Sequence, residues 1–228
     1  GRTYVHTYVL KRILERCYSV RMPKKVLTHF QKHDPTLYSA IALFEGELRG
    51  GPEVKADLFS SLCRTIVGQQ LSSKAARSIW QKFRTLFPYQ KPTATHILAL
   101  SDMKLRESGI SFAKIRSIQD LSERVSNRSL RLNTLRTLSI EDAKIALQEV
   151  RGIGPWSSEM FLMFALGHED IFSVGDLGLR KGIQKIYGHH DLPSVEAMEE
   201  LAENWSPYRT YAACAIWSIL DNQEKNRP

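Results

Sequence analysis

Six residues from Val150 to Pro155, with the sequence VRGIGP, constrain the fold of this chain more than any other segment. Two glycines straddle Ile153, which can return to the core, and glycine tolerates the backbone conformations of tight turns. Pro155 suits the first turn of a helix, where the amide that proline lacks would have no partner. The segment therefore predicts a tight turn between two helices. Its backbone N–H groups and the positive end of the second helix can bind an anion such as phosphate.

Apolar residues recur at helical spacing along much of the chain. Asp57 is a candidate N-cap for a helix that ends at Gly68, with one apolar face formed by Leu58, Phe59, Leu62, Cys63, Ile66 and Val67. A second helix is predicted from about Ser72 to Leu86, where Pro88 stops it. Further helices fit Ser101–Glu107, Phe112–Val125, Ile140–Glu149, a stretch from Leu177 to Gly188, and Pro207–Leu220. Strand-like alternation is scarce, so we predict an all-α fold.

Composition limits the class of protein without naming it. The chain has 228 residues, of which 43% are hydrophobic, enough for one sizeable core or two small lobes. A net charge of +8 fits a phosphate-binding surface without requiring one. No apolar run approaches the roughly 20 residues of a membrane span, and the first residues lack a secretory core. We expect an intracellular protein with no membrane partner, cytoplasmic in a bacterium or archaeon and nuclear in a eukaryote.

The side chains that commonly bind metals are poorly arranged for it. The three cysteines are widely separated and odd in number, which indicates neither a disulfide framework nor a zinc site: Cys17, Cys63 and Cys214. His189 and His190 stand beside Asp191, but adjacent histidines point in different directions and no further ligand cluster follows. We expect a surface loop there, no metal held by side chains and no cofactor.

Three blocks of sequence occur in an order that resembles a known family. They are IVGQQLS at residues 66–72, the hairpin with the segment that follows it to Asp176, and WSPYRTYAACAIW at residues 205–217. This order is similar to that of the helix-hairpin-helix (HhH-GPD) superfamily of DNA glycosylases, in which a Gly/Pro-rich loop and an aspartate follow the hairpin. Within it, the chain most resembles the alkyl-base branch of 3-methyladenine DNA glycosylase II, in a compact form without an N-terminal β domain.

The resemblance implies a two-lobed, all-α helix-hairpin-helix glycosylase fold with a DNA-binding cleft between the lobes. Residues 56–166 would form the lobe that contains the hairpin, and residues 1–55 together with 167–228 would form the second lobe. The partner implied is damaged double-stranded DNA, bound by a monomer. Some relatives hold an iron–sulfur cluster through four closely spaced cysteines after the catalytic region, but this chain has only Cys214 there, so we exclude that cluster.

Asp176 is the catalytic residue that the resemblance implies. When a base leaves, positive charge develops on the sugar, and a carboxylate can stabilise that charge and orient water. Asp176 follows Trp156 by 20 positions, as in the alkyl-base branch. The structural alternative is that it only caps the next helix, and both roles can coexist.

Trp156 occupies the hairpin position at which bifunctional relatives place a lysine that forms a Schiff base. No amine is available there, and Lys181 and Lys185 lie downstream and do not match the lysine motif. The resemblance therefore implies a monofunctional glycosylase that uses water and leaves an abasic site.

Aromatic residues are candidates for the base pocket, because alkylated purines are cationic and bind electron-rich ring faces. Trp156 and Trp217 fit this role, and ordinary helix packing is the alternative for both. Met160 stands where the bacterial inducible enzyme has an aromatic residue, which implies a narrower or shifted range of lesions. Phe161 and Phe164 neighbour this turn, and we expect them to pack in the core.

The remaining DNA contacts are also implied by the family. Its intercalating wedge lies in the loop formed here by Gln69, Gln70 and Leu71. Alignment favours Gln70 and apolar chemistry favours Leu71, which could instead pack the next helix on the core. Phosphate would be bound by the backbone N–H groups of the hairpin at Gly152, Ile153, Gly154 and Trp156. Hairpins of the family often also hold a monovalent cation on backbone carbonyls. Arg209 is expected to pair with an acid.

Three functions remain open from the sequence. The first is a glycosylase that releases 3-methyladenine, with 7-methylguanine, ethenoadenine and hypoxanthine as broader candidates. The second is a glycosylase for mismatched or deaminated bases, which would share Asp176 and differ in its pocket. The third is a helix-hairpin-helix protein that binds DNA without chemistry and has no use for a carboxylate at that spacing.

Overall fold

The fold is known from a computed structural model that describes residues 22–43, 51–52 and 54–225, except the side chains of Ser73 and residues 223–225. The described residues form helices and turns, without a strand, so the predicted all-α fold is confirmed. One isolated antiparallel bridge joins Val54 to Leu166. Cys17 and the N-terminal segment discussed above lie outside the described residues. None of the described helices is both long and apolar enough to cross a membrane.

The chain divides into two compact units. We call Val54–Leu166 the hairpin unit, and Gly1–Glu53 together with Gly167–Pro228 the terminal unit. The Val54–Leu166 bridge therefore joins the two ends of the hairpin unit. Beside it, the Lys55 N–H donates to the carbonyl of Ala165 at 2.9 Å.

The hairpin unit contains seven α-helices among its described residues. They are α3 (Leu58–Gly68), α4 (Ser73–Thr85), α5 (Ala94–Leu98), α6 (Asp102–Arg106), α7 (Phe112–Ser126), α8 (Ile140–Gln148) and α9 (Pro155–Phe164). Short 3-10 helices occupy Pro88–Gln90 and Leu132–Thr137.

Helix α7 is central to the packing of the hairpin unit. It contacts α3, α5 and α6, and it buries Ile115, Ile118 and Leu121 completely. Helix α3 begins where predicted, because the Asp57 carboxylate accepts a hydrogen bond from the Ser60 N–H at 2.9 Å. Five of the six residues of its predicted apolar face are buried: Leu58, Leu62, Cys63, Ile66 and Val67.

The terminal unit has five described helices. They are α1 (Lys24–His33), α2 (Pro35–Ala42), α10 (Leu177–Ile186), α11 (Val195–Glu203) and α12 (Arg209–Lys225). Helices α10 and α12 cross closely at Gly182, where a Cβ atom would lie only 2.3 Å from Ile216 Cγ2. Since α10 begins after Asp176, this crossing fixes the helix that carries the candidate catalytic residue.

The Asp34 carboxylate binds three other residues of the terminal unit. It is 6% exposed and caps α2 by accepting from the Leu37 N–H at 2.9 Å. Its other carboxylate oxygen accepts from Trp205 Nε1 at 2.8 Å and from the Tyr187 hydroxyl. Burial, together with the hydrogen bond to Asp34, raises the pKa of Tyr187. The Tyr187 hydroxyl therefore stays protonated and keeps donating.

Asp34→Ala is expected to lower the free energy of unfolding by about 2 kcal/mol or more, because two side-chain donors lose their acceptor. In a protein of this size the Tm should fall by roughly 4–8 °C in thermal unfolding followed by circular dichroism. Asp191→Ala is the matched control, since its side chain is 93% exposed. An equal Tm for the two variants would show that the Asp34 network does not stabilise the unit.

Candidate functional site

The hairpin follows the path that its sequence predicts. Helix α8 ends at Gln148 and α9 begins at Pro155, with Gly154 as an extended N-cap. Ile153 is 4% exposed and its N–H donates to the Val150 carbonyl at 3.0 Å. The isoleucine therefore returns to the core and anchors the turn.

The turn lies directly on helix α7. Gly152 has a φ of 79°, and a Cβ atom there would lie 2.7 Å from Ser117 Oγ. One turn along α7, the Asp120 carboxylate accepts from the Arg151 N–H at 2.7 Å and pairs with Arg124 at 3.1 Å. Both the backbone conformation and the close approach to α7 require glycine at position 152.

Two of the predicted phosphate donors in the turn are open, and the prediction for Ile153 is wrong, because its N–H donates to the Val150 carbonyl within the turn. Within the described part of the chain, the N–H groups of Gly152 and Gly154 donate to no protein acceptor. Apart from its two chain neighbours, no described residue has an atom within 4 Å of the position of a Cβ on Gly154. These donors, with the positive end of α9, form a surface that can bind a phosphate oxygen. A monovalent cation on the hairpin carbonyls stays a prediction.

The predicted wedge residues form the loop after α3, and their side chains have different environments. Gln70 is exposed and has a φ of 54°, so it forms the tip of the loop. Leu71 is half-buried. The Gln69 side chain turns to the hairpin, donating to the Gly152 carbonyl at 2.8 Å and to Ser157 Oγ at 3.2 Å.

Lys114 on α7 holds the base of this loop. Its ammonium donates to the carbonyls of Val67 at 2.8 Å and of Gln69 at 2.7 Å. Burial lowers the pKa of Lys114 to about 8. The charge at the C-terminus of α3 also complements the negative end of the helix dipole.

Asp176 is the N-cap of α10, as the structural alternative predicted. It is 1% exposed, and its Oδ1 atom accepts from the Leu179 N–H at 2.8 Å. The same oxygen accepts from Trp217 Nε1 at 2.9 Å. A backbone donor and an indole donor thus both fix the orientation of the carboxylate at this oxygen.

Gly178 makes room for this arrangement. A Cβ atom at that position would lie 3.0 Å from Asp176 Oδ1 and 3.3 Å from two atoms of the Trp217 indole. Glycine at position 178 therefore leaves room for the indole beside the first turn of α10, and a side chain there would press on both the indole and the carboxylate.

The three candidate pocket residues differ in exposure. Trp156 is half-buried in the first turn of α9, and Met160, one turn later, is 2% exposed. Trp217 is 3% exposed, and its N–H is engaged by Asp176. Their role in binding a base stays a prediction. Phe161 and Phe164 are buried, as expected.

Residues 63–207 match the model of the HhH-GPD superfamily of base excision DNA repair proteins. The chain belongs to this family. The matched span includes the loop after α3, the hairpin and Asp176, so it contains each of the candidate sites described above except Trp217.

Named relatives of this HhH-GPD protein include alkyl-base glycosylases. DNA-3-methyladenine glycosylase 1 of Schizosaccharomyces pombe (strain 972 / ATCC 24843) is 29% identical over 176 residues, which cover 76% of this chain and 77% of the relative. A DNA-3-methyladenine glycosidase from Bacillus halodurans is similar in structure, with a TM-score of 0.79, 30% identity and coverage of 90% of this chain and 92% of that chain.

A second solved structure contains DNA. It is a 3-methyladenine DNA glycosylase of Schizosaccharomyces pombe in complex with abasic DNA, with a TM-score of 0.75 and 25% identity. The match covers 88% of this chain and 97% of that chain. Such neighbours support DNA as the partner of this HhH-GPD protein.

Arg209 pairs with an acid, as predicted. Its guanidinium donates to both oxygens of Asp170, at 2.8 and 2.9 Å. Partial burial alone would raise the pKa of Asp170, but the hydrogen bonds from Arg209 and Ser206 hold it below its usual value. The pair joins the start of α12 to the segment before Asp176, which is a structural role.

The remaining candidates from the sequence are two lysines, the His–His–Asp segment and the cysteines. Lys181 and Lys185 lie on α10, past its first turn. His190 and Asp191 form an exposed pair at 3.3 Å. Among the described residues, no group of three or more His, Cys, Asp or Glu could hold a metal ion. Cys63 and Cys214 are buried thiols, and burial raises the pKa of Cys63.

Four residues that support these sites were missed by sequence reasoning: Lys114, Ser117, Asp120 and Gly178. The first three recur every three positions on α7, which indicates a shared polar face and no more. This spacing does not predict which loops the face contacts, because the contacts join residues that are 31 to 47 positions apart in the sequence.

Gly152→Ala is expected to reduce affinity for duplex DNA by a similar factor for every sequence. Alanine at a φ of 79° is strained, and its Cβ would displace Ser117, which moves the phosphate donors. Fluorescence anisotropy with several unrelated duplexes checks this.

Gly154→Ala is the matched control for the fold, because open space and an extended backbone accept alanine there. Its stability should stay within about 0.5 kcal/mol of wild type. A loss of affinity in Gly152→Ala confined to particular sequences would show that the hairpin reads bases.

Proposed function

We propose that this HhH-GPD protein is a monofunctional DNA glycosylase of base excision repair. It hydrolyses the N-glycosidic bond of alkylated purines in double-stranded DNA and leaves an abasic site. The expected substrates are 3-methyladenine first, with 7-methylguanine, ethenoadenine and hypoxanthine as a broader range. Its named relatives, which are 3-methyladenine glycosylases, support this substrate class.

The observation that carries the proposal is the buried carboxylate of Asp176, 20 positions after Trp156 in a base excision family. A carboxylate whose orientation is already fixed presents its negative charge to a developing cation without reorganisation. Low exposure strengthens that interaction, because little water screens it. A protein that only bound DNA would need the hairpin and would use this carboxylate only as the N-cap of α10.

The reaction follows from these properties. The bond between C1′ and the base nitrogen breaks, and the base takes the electron pair. A methylated purine carries a positive charge before cleavage, so it leaves as a neutral base. Asp176 stabilises the cationic sugar, water adds its oxygen to C1′, and a proton passes from that water to the surroundings.

No strand cleavage is expected from the protein itself. A lyase step requires an amine that attacks C1′ and forms a Schiff base. Trp156 occupies the hairpin position where such a lysine would lie, and Lys181 and Lys185 follow Asp176 on α10.

Binding to DNA is assigned to two loops of the hairpin unit. The N–H groups of Gly152 and Gly154 would bind a phosphate of any sequence, assisted by the positive end of α9. Gln70, at the exposed tip of its loop, would enter the gap left by the extruded base, with Leu71 beside it. Gln69 is not assigned to the wedge, because its amide is bonded to the hairpin.

Asp176→Asn tests the catalytic role. The amide oxygen of asparagine can still accept from Leu179 N–H and Trp217 Nε1, so the local structure should persist while the charge is removed. Release of 3-methyladenine and 7-methylguanine from alkylated duplex DNA should fall by about 100-fold or more. Free bases are measured by chromatography, and strand breaks before and after alkali.

The outcomes separate the three functions. Base release by wild type without nicks before alkali supports the proposal, and full activity of Asp176→Asn contradicts it. Release of only deaminated or mismatched bases by wild type would indicate the second function. Binding with no release of any base would indicate a non-catalytic DNA-binding protein.

Trp217→Phe separates two roles of Trp217. Phenylalanine keeps an aromatic face but removes the indole N–H that binds Asp176. If the indole mainly orients the carboxylate, release of cationic 7-methylguanine and of neutral hypoxanthine should fall by the same factor, about tenfold. Single-turnover rates with saturating enzyme measure both. A loss for 7-methylguanine alone would instead favour stacking on the cationic ring.

A further inference from the structure

The loop after α3 has weak hydrogen bonds of its own. The Gln69 N–H donates to Ile66 and the Leu71 N–H donates to Gly68, both at a long 3.3 Å. Gln70, between them, has the left-handed conformation that few non-glycine residues adopt. A loop of this kind keeps a single shape only if other residues hold it.

Lys114 supplies the shorter contacts. Its ammonium bonds to the Val67 and Gln69 carbonyls, at 2.8 and 2.7 Å, and so fixes the backbone on both sides of Gly68. The residue directly after the fixed Gln69 carbonyl is Gln70. Lys114 therefore determines where the exposed tip of the loop begins.

The same loop is tied to the hairpin by Gln69. Its side-chain amide reaches the Gly152 carbonyl at 2.8 Å and Ser157 Oγ at 3.2 Å. While Lys114 holds the main chain of Gln69, the side chain of that residue holds the hairpin turn and the first turn of α9.

Helix α7 completes this frame. Lys114, Ser117 and Asp120 follow one another at helical spacing on one face. Lys114 holds the loop after α3, Ser117 lies under Gly152, and Asp120 accepts from the Arg151 N–H at 2.7 Å. One helix face therefore supports both loops to which DNA contacts are assigned.

We propose that Lys114 is a positioning residue, which holds the loop containing Gln70 and Leu71 at a fixed distance from the phosphate-binding hairpin. The insertion of Gln70 into the duplex and the anchoring of the backbone then occur on one rigid frame. This inference rests on the proposed function and extends it to how the base is extruded.

Energetics favour positioning over a purely stabilising role. Burial lowers the pKa of Lys114 to about 8, so the protein disfavours the charged form relative to water. The ammonium nevertheless donates to two carbonyls at the base of one loop, where it fixes the backbone of that loop. Replacement by a long apolar side chain loses these two hydrogen bonds but also removes a desolvated charge, and because the two effects oppose each other, stability should change less than in Asp34→Ala.

Lys114→Met tests the inference, with Lys104→Met as the matched control. Its replacement removes the same charge from the same unit, but Lys104 pairs with Glu107 on the surface, and half of its side chain is exposed. The Tm of Lys114→Met should stay within about 4 °C of wild type.

The first measurement does not depend on catalysis. The probe is a duplex with one tetrahydrofuran abasic analogue flanked by 2-aminopurine, whose fluorescence rises when a side chain enters the gap and unstacks it. Lys114→Met should bind this duplex with a Kd within about threefold of wild type, because the hairpin donors persist. The fluorescence rise should fall by about half or more.

The second measurement is base release from alkylated DNA. Lys114→Met should be slower by about tenfold, because a misplaced wedge extrudes the base poorly. Lys104→Met should match wild type in both measurements. A Lys114→Met protein with the fluorescence rise and release rate of wild type would overturn the inference. A variant in which the Tm, the affinity for DNA and the fluorescence rise all decrease together would also overturn it.

Two further outcomes keep the inference testable. If wild type raises the fluorescence but releases no base, the proposed glycosylase activity fails and the fluorescence still decides on Lys114. If wild type binds without a rise, the loop does not insert and the inference is overturned. If Lys114→Met does not fold, Gln69→Met is the second variant, because it removes the hydrogen bonds between the loop after α3 and the hairpin. A wild-type fluorescence rise in Gln69→Met would contradict a rigid frame that joins the two loops.

Discussion

The contact between the hairpin turn and helix α7 is the constraint on which the hairpin unit depends. Because Gly152 lies against Ser117 with no room for a Cβ, the turn has one position relative to the core. Ile153 then points inward, and Gly154 faces open space. The direction of α9 and the exposure of the phosphate donors both follow from a single close approach that only glycine permits.

Asp176 shows how one interaction can serve the fold and the chemistry. As an N-cap it satisfies the Leu179 N–H, which any helix start requires of some acceptor. The same bond fixes the carboxylate in one orientation, and the Trp217 indole fixes it in a second direction. Gly178 and Gly182 allow this by letting α12 approach α10 closely. The sequence analysis allowed both roles to coexist, and the structure gives the physical link between them, since the capping bond orients the proposed catalyst.

Local features of the fold could be predicted from sequence because they depend on neighbouring residues. Asp57, Ser72 and Asp176 cap their helices through donors three positions later, and Pro155 starts α9. Boundaries were less accurate where tertiary contacts decide them. The last helix continues to Lys225, past the predicted end at Leu220, and the short helices Ala94–Leu98 and Val195–Glu203 were not predicted.

The supporting residues of the site could not be predicted, for a physical reason. Lys114 looks like any solvated lysine until α7 is packed against the end of α3, and only then do two carbonyls replace its water. In the same way, nothing near Trp217 in the sequence indicates that its indole meets a carboxylate 41 positions away. The residues that determine chemistry were accessible through a family resemblance, whereas those that hold them in place required the packed structure.

The buried charged side chains of this protein differ in their structural roles. Asp34 joins helices to one another, so its substitution should lower the free energy of unfolding. Lys114 holds a loop through two backbone carbonyls, and the bonds from Leu179 and Trp217 orient the carboxylate of Asp176. A charged side chain that positions a loop or orients a proposed catalyst contributes little to the packing of helices on one another. Substitutions at Lys114 and Asp176 should therefore change activity more than stability, whereas a substitution at Asp34 should lower stability first.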